Sequence, residues 1–86
     1  MRVETLGNNQ VAVNCENKTY FISYESNIAY YENGKVVFSN LWNYSRTTMK
    51  YLKIWLWRYT HIQPETKKEI EKLIKNGDII VIEKID

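Results

Sequence analysis

The sequence predicts an α+β fold: an antiparallel β-meander of four or five strands, then two helices packed on one face, and a C-terminal strand joining the sheet. Three observations carry this reading. "IAYYENGKVVFS" sets Asn33-Gly34 between two runs rich in β-branched and aromatic residues, and a two-residue turn with positive φ at both positions is what such a pair favours. From Arg46 the apolar spacing changes from two residues to the three and four of a helix. After a second helical stretch closed by Gly77, "DIIVIEKI" returns to strand composition.

Taken in order, "RVETL" is a strand that ends at Gly7-Asn8-Asn9, residues able to supply turn conformations. "QVAVNC" alternates, and Val11, Val13 and Cys15 are expected on the inward face, with Cys15 a buried thiol. Glu16-Asn17 turns the chain into "KTYFISY", where Tyr20, Ile22 and Tyr24 share one face and Phe21 takes the other. Ser26-Asn27 marks the next turn. The Asn33-Gly34 hairpin then pairs Glu32 with Lys35, Tyr31 with Val36 and Ala29 with Phe38.

Ser45 is a good N-cap for a helix from about Arg46 to Tyr59, with Thr48 three residues on in an imperfect capping box. Thr48, Leu52, Trp55 and Tyr59 form its inward stripe, with Met49 and Leu56 beside it. Arg46, Lys50, Lys53 and Trp57 recur on the opposite face at i, i+4, i+7 and i+11. Pro64 is expected as the first residue of a second helix, "PETKKEIEKLIKN", whose apolar stripe is Ile70, Leu73 and Ile74. Glu65 and Glu69 suit its positive end, Lys72 and Lys75 its negative end. The final strand is apolar on both faces from Ile79 to Ile82, which points to burial within the sheet rather than an open edge.

Eighty-six residues provide for one domain. One cysteine excludes an internal disulfide and any multi-cysteine zinc site. No run reaches the roughly 18 apolar residues of a membrane helix, and the polar N-terminus does not resemble a signal peptide. The expected setting is the cytoplasm of a host cell. Catalytic chemistry is poorly provided for. His61 is the only histidine and follows a helix end, and there is no phosphate-binding glycine loop. No pair of acids has a spacing that specifies acid–base work. The sequence therefore reads as a non-enzyme with no cofactor and no metal.

The net charge of +2 hides an uneven distribution. Residues 1–32 carry a net −2, residues 65–86 a net −1, and residues 33–64 carry +5 with no acid. That middle segment also holds all three tryptophans. Arg46, Lys50, Lys53, Trp57 and Arg58 are therefore the candidate binding residues, for a partner protein or for nucleic acid. The competing structural reading is a solvated helix face, with Lys stems covering apolar surface. Tyr20, Tyr24, Tyr30 and Tyr31 raise the same choice on the sheet, between a base-stacking platform and ordinary half-buried residues. If one sheet face lies open, two copies can bury it by forming a homodimer.

"SYESNIAYYENGKVVFSNLWNYSRTTMKYLKIWL" resembles a small uncharacterised domain of phage and other mobile-element proteins. There a strand with the pattern SY-x-S/T-x-IA leads through a hairpin to W-x-x-S-x-TT-x-K-x-L. The matching residues are Ser23, Tyr24, Ser26, Ile28, Ala29, Trp42, Ser45, Thr47, Thr48, Lys50 and Leu52. Trp55, Trp57 and the final helix and strand depart from the pattern. The resemblance implies a phage or mobile-element origin and carries no catalytic residue. Three readings follow. The first is an accessory protein that occludes a host protein, an anti-CRISPR-type inhibitor of a defence nuclease being one form. The second is a nucleic-acid-binding module using the basic helix 46–58. The third is a self-associating assembly protein.

Overall fold

The structure, a computed structural model, describes residues 1–85. Strands β1 (Arg2–Gly7), β2 (Gln10–Asn14), β3 (Lys18–Ser23), β4 (Ser26–Glu32) and β5 (Lys35–Ser39) precede helices α1 (Arg46–Tyr59) and α2 (Lys67–Lys75), and β6 (Ile79–Ile82) follows them. All six strands form one sheet in chain order. β1 to β5 are antiparallel neighbours, as the meander reading required, and β6 joins β5 in parallel. A parallel partner cannot be reached by a tight turn, and α1 and α2 are the crossover that brings the chain back.

The Asn33-Gly34 hairpin has the predicted register, Glu32 with Lys35, Tyr31 with Val36 and Ala29 with Phe38. Both turn residues have positive φ, 51° and 80°. The preceding turn differs from expectation. It is made by Tyr24 and Glu25, both left-handed at φ 49° and 67°, and Ser26-Asn27 already belongs to β4. Neither residue type favours that conformation. The pairing of Ser23 with Ser26 imposes it, and Tyr24 N–H donates to Asn9 O at 2.8 Å.

Both helices lie on one face of the sheet, α1 against β1 to β4 and α2 against β6. The covered face is built around Ala12, Phe21, Ala29 and Phe38, which are successive cross-strand neighbours on four adjacent strands. The alanines leave room between the phenyl rings. Trp55 fills it, fully buried and stacked on Phe21 at 6.1 Å between ring centroids, with its indole N–H donating to Thr19 Oγ1 at 3.4 Å. Trp42 closes the far end against Phe38. A bulge in β4 changes the register between Phe21 and Ile22, so that consecutive residues Ile28 and Ala29 are both buried.

This packing reverses the expected face of β2. Ala12 points to the helices, while Val11 and Val13 point to the opposite, uncovered face. Cys15 is correspondingly exposed, not buried. The alternation was legible, but which phase is covered depends on where Trp55 needs a small neighbour. β6 also departs from expectation. It is an edge strand, and Ile80 and Ile82 are exposed at 46% and 37%. Only its Ile79 and Val81 side faces the core.

α1 has the predicted boundaries. Ser45 caps it, accepting from Thr48 N–H at 3.0 Å. Thr48, Leu52, Trp55 and Leu56 are the buried stripe. Thr48 Oγ1 also lies 2.8 Å from Ser23 Oγ, which ties the cap to β3. α2 begins later than Pro64. Thr66 is its N-cap and Glu69 completes a reciprocal capping box, whereas Pro64 is a buried residue of the connector. Two backbone donors satisfied at once outweigh the preference of proline for a first turn. At the other end Gly77 N–H bonds to Ile74 O, and Asp78 N–H to Leu73 O at 2.9 Å, the paired closure of a Schellman motif.

Gly7 is a point of close approach. A Cβ there would lie 2.5 Å from Tyr51 Cζ on α1. Gly7→Ala is expected to cost about 1 kcal/mol, at the low end for overpacking because the tyrosine ring can swing outward. Urea denaturation monitored by tryptophan fluorescence measures it.

Candidate functional site

The candidate residues sit along the outer side of α1, and the structure brings most of them together. Two shallow hollows share Lys50 and Lys53. One runs from Asn43 and Tyr44 past Arg46 and Met49 to Lys67. The other is lined by Ile54, Trp57, Arg58, Pro64 and Glu65. The result is a single groove along α1, bordered by the connector and the start of α2. Sequence reasoning missed Tyr44, Ile54, Pro64 and Lys67. Tyr44 and Ile54 lay within reach of the periodicity argument. Lys67 enters only because α2 folds back beside α1.

Trp57 is 64% exposed and forms an apolar centre with Ile54 and Pro64. Tyr44, 50% exposed, marks the other end. An indole left this accessible is unusual, because a large ring contributes more to stability when buried. Trp55 and Trp57 thus divide the roles available to that side chain within one helical turn.

The cations are not equivalent. Among the described residues, Arg46, Lys50, Lys53 and Lys67 have no carboxylate within salt-bridge distance. Lys53 is half-buried and its Nζ donates to Glu65 O at 3.3 Å, bracing α1 against the connector. Lys50 Nζ lies 5.4 Å from the centre of the Tyr51 ring. Arg58 lines the groove but is engaged elsewhere. Its Nη1 donates to Glu4 Oε1 at 2.7 Å, and Tyr59 Oη donates to the same oxygen. Arg2 approaches the other carboxylate oxygen at 3.6 Å. This cluster fastens the end of α1 to edge strand β1.

The Tyr59 hydroxyl and then Arg58 hold the Glu4 carboxyl below the usual carboxylate range. Burial and the carboxylate raise the Tyr59 phenol. A depressed carboxylate pKa adds stability above the unfolded-state value, and that stability is lost as pH falls through the folded value. The melting temperature is therefore expected to fall on acidification below about pH 4.5, and less so in Glu4→Gln. Thermal melts of both proteins across that range check it.

The tyrosines divide between the two sheet faces. Tyr20 and Tyr30 are neighbours on the uncovered face, their centroids 6.2 Å apart. Tyr31 faces the helices and its hydroxyl lies 3.5 Å from His61 Nδ1. Tyr24 belongs to a turn. The Lys18 ammonium sits 4.1 Å from the Tyr30 centroid and 4.9 Å from that of Tyr20, with Glu32 at 4.0 Å. Tyr20 and Glu32 raise the Lys18 pKa. Among the described residues, no three His, Cys, Asp or Glu side chains form a metal-ligand group. No described helix is long and apolar enough to cross a membrane.

Fold and groove together define a two-layer α+β domain with an aromatic, cation-rimmed outer helix. The chain belongs to the family of unknown function DUF8033, which matches residues 1–72. The matched segment runs from β1 into α2 and leaves β6 beyond it. No curated protein and no solved structure matches the chain.

Proposed function

We propose that the protein is a small non-enzymatic accessory protein of a phage or other mobile element that docks on a host protein and occludes part of it. The resemblance at Ser23 to Leu52 supplies the mobile-element setting. A defence nuclease, as in anti-CRISPR-type inhibition, is the class of target proposed. The observation that carries the docking reading is Trp57. It is exposed beside Ile54 and Pro64 and rimmed by Lys50, Lys53, Arg58 and Glu65, with Arg46 further along the same groove. An aromatic centre with a polar rim is the usual anatomy of a protein-binding hot spot. The complementary partner surface is an apolar pocket edged with carboxylates.

Affinity capture from host lysate tests this reading. The wild type is expected to retain a host protein. Lys50→Glu with Arg46→Glu is expected to lose it without a change in melting temperature. A folded wild type that retains nothing, or retention that survives the double reversal, sinks the reading.

A second reading has its own support. Among the described residues, Arg46, Lys50 and Lys67 are cations without carboxylate partners, and Tyr44 and Trp57 offer rings on which bases can stack. Binding to nucleic acid through this groove would weaken by about 0.9 log units per log unit of salt for each duplex phosphate neutralised. Low-salt gel shifts with single- and double-stranded DNA and RNA decide it. No shift with any of them removes this alternative.

A further inference from the structure

We infer that the uncovered face of the sheet is a homodimer interface, on which a second copy packs sheet against sheet. One row on this face crosses every strand: Val3, Val13, Tyr20, Tyr30, Val37 and Ile80 are successive cross-strand partners. The adjacent row contains Thr5, Val11, Ile22 and Asn27, then Ser39 and Ile82. Neither row contains a charged residue, although 26% of the chain is charged. Val3 and Ile80, at its two ends, are 59% and 46% exposed, Val13, Tyr20 and Tyr30 are half-buried, and Val37 and Ser39 are already buried. A contiguous apolar face of this kind on a small domain marks an interaction surface.

Charge selects the occupant and its orientation. Along one margin of this face Lys18, Glu32 and Lys35 are cross-strand neighbours on β3, β4 and β5, and at the other margin Glu25, Glu83 and Lys84 gather beside Asn27 and Ser39. β3 and β4 are the central pair of the six strands. A two-fold axis along the strands between them sets β3 over the partner copy's β4. Each Lys18 then faces the Glu32 of the other copy, and Tyr20 faces Tyr30. A two-fold axis across the strands would set the Lys18 margin over the one that carries Glu25, Glu83 and Lys84, and would lose both contacts. Nucleic acid suits the face poorly, because its two inner rows offer no cation.

Area is sufficient. Six strands about 4.8 Å apart, each rising about 3.3 Å per residue, make a face of roughly 500 Å². Two such faces meeting in full bury at most roughly 1,000 Å², the size of a weak specific interface. Aligned packing of two sheets at about 30° is the common geometry for such a sandwich. This surface is distinct from the α1 groove, and the inference does not depend on that site's function.

Sedimentation equilibrium of the wild-type protein at about 100 µM, above the micromolar dissociation constant expected of so modest an interface, should give twice the 10.3 kDa chain mass. Val13→Lys, with folding confirmed by its melting temperature, should give the monomer. The decisive experiment uses Lys18→Glu and Glu32→Lys as two separate proteins. Each alone sets like charges across the two-fold axis and should be at least tenfold weaker in self-association. Mixed in equal amounts they should associate, since both cross-copy contacts become complementary while the pair within each chain stays repulsive. A monomeric wild type, a dimer that survives Val13→Lys, or a mixture that associates no better than its components overturns the inference.

Discussion

Trp55→Ala is expected to remove about 3–5 kcal/mol of stability, the usual cost of deleting a large buried aromatic side chain. The indole is fully buried, stacks on Phe21 and donates to Thr19 Oγ1. Its loss leaves a cavity under α1 and an unpaired buried hydroxyl, and neither Ala12 nor Ala29 can expand to fill the space. Domains of this size hold about 5–15 kcal/mol in all. The variant should therefore unfold at much lower denaturant or be largely unfolded at 37 °C. Trp55→Phe should recover most of the packing but not the Thr19 contact, and should fall between the two. Chemical denaturation followed by circular dichroism measures the series, and an alanine variant within 1 kcal/mol of wild type would refute this account of the core.

Trp57→Ala should have the opposite profile. The ring is 64% exposed, so its removal should change stability by less than about 0.5 kcal/mol. For the proposed partner the expected loss is at least about 2 kcal/mol, roughly thirtyfold in affinity, because an aromatic hot spot carries a disproportionate share of binding energy. Titration calorimetry against the captured partner reads the affinity, and a phage-protection assay reads the consequence in cells. Unchanged binding in a folded Trp57→Ala protein would locate the contact elsewhere. The two tryptophans thus give a paired experiment in which each controls for the other.

Local chemistry made much of the fold legible. Asn33-Gly34 fixed a register because few residue pairs tolerate that turn. Ser45 and the spacing of Leu52, Trp55 and Leu56 fixed α1 because cap and stripe agree. The misreadings share a physical cause. Cys15 and the valines of β2 alternate correctly, but alternation does not say which phase the helices cover. The run Ile79 to Ile82 reads as buried, yet strand order places it at an edge. At Pro64 the competing capping box of Thr66 and Glu69 decided where α2 begins. The outward stripe of α1 followed from helical spacing alone. Its border with Lys67 and Pro64 did not, since it arises from the packing of distant segments, and nothing local marked Arg58 as the partner of Glu4.

The parallel joining of β6 to β5 has a kinetic consequence. Every other strand pair closes through a turn of a few residues, so the meander can assemble from contacts near in sequence. β6 must wait for the whole span between Ser39 and Ile79, and closing a loop of about 40 residues costs roughly 3 kcal/mol of chain entropy. The last strand is then a late arrival on the folding route. Ile79→Ala should speed unfolding and leave the folding rate nearly unchanged, whereas disrupting the Asn33-Gly34 turn should slow folding itself. Stopped-flow chevrons for the two variants would separate these effects, and they would show the meander as the early scaffold that β6 later latches.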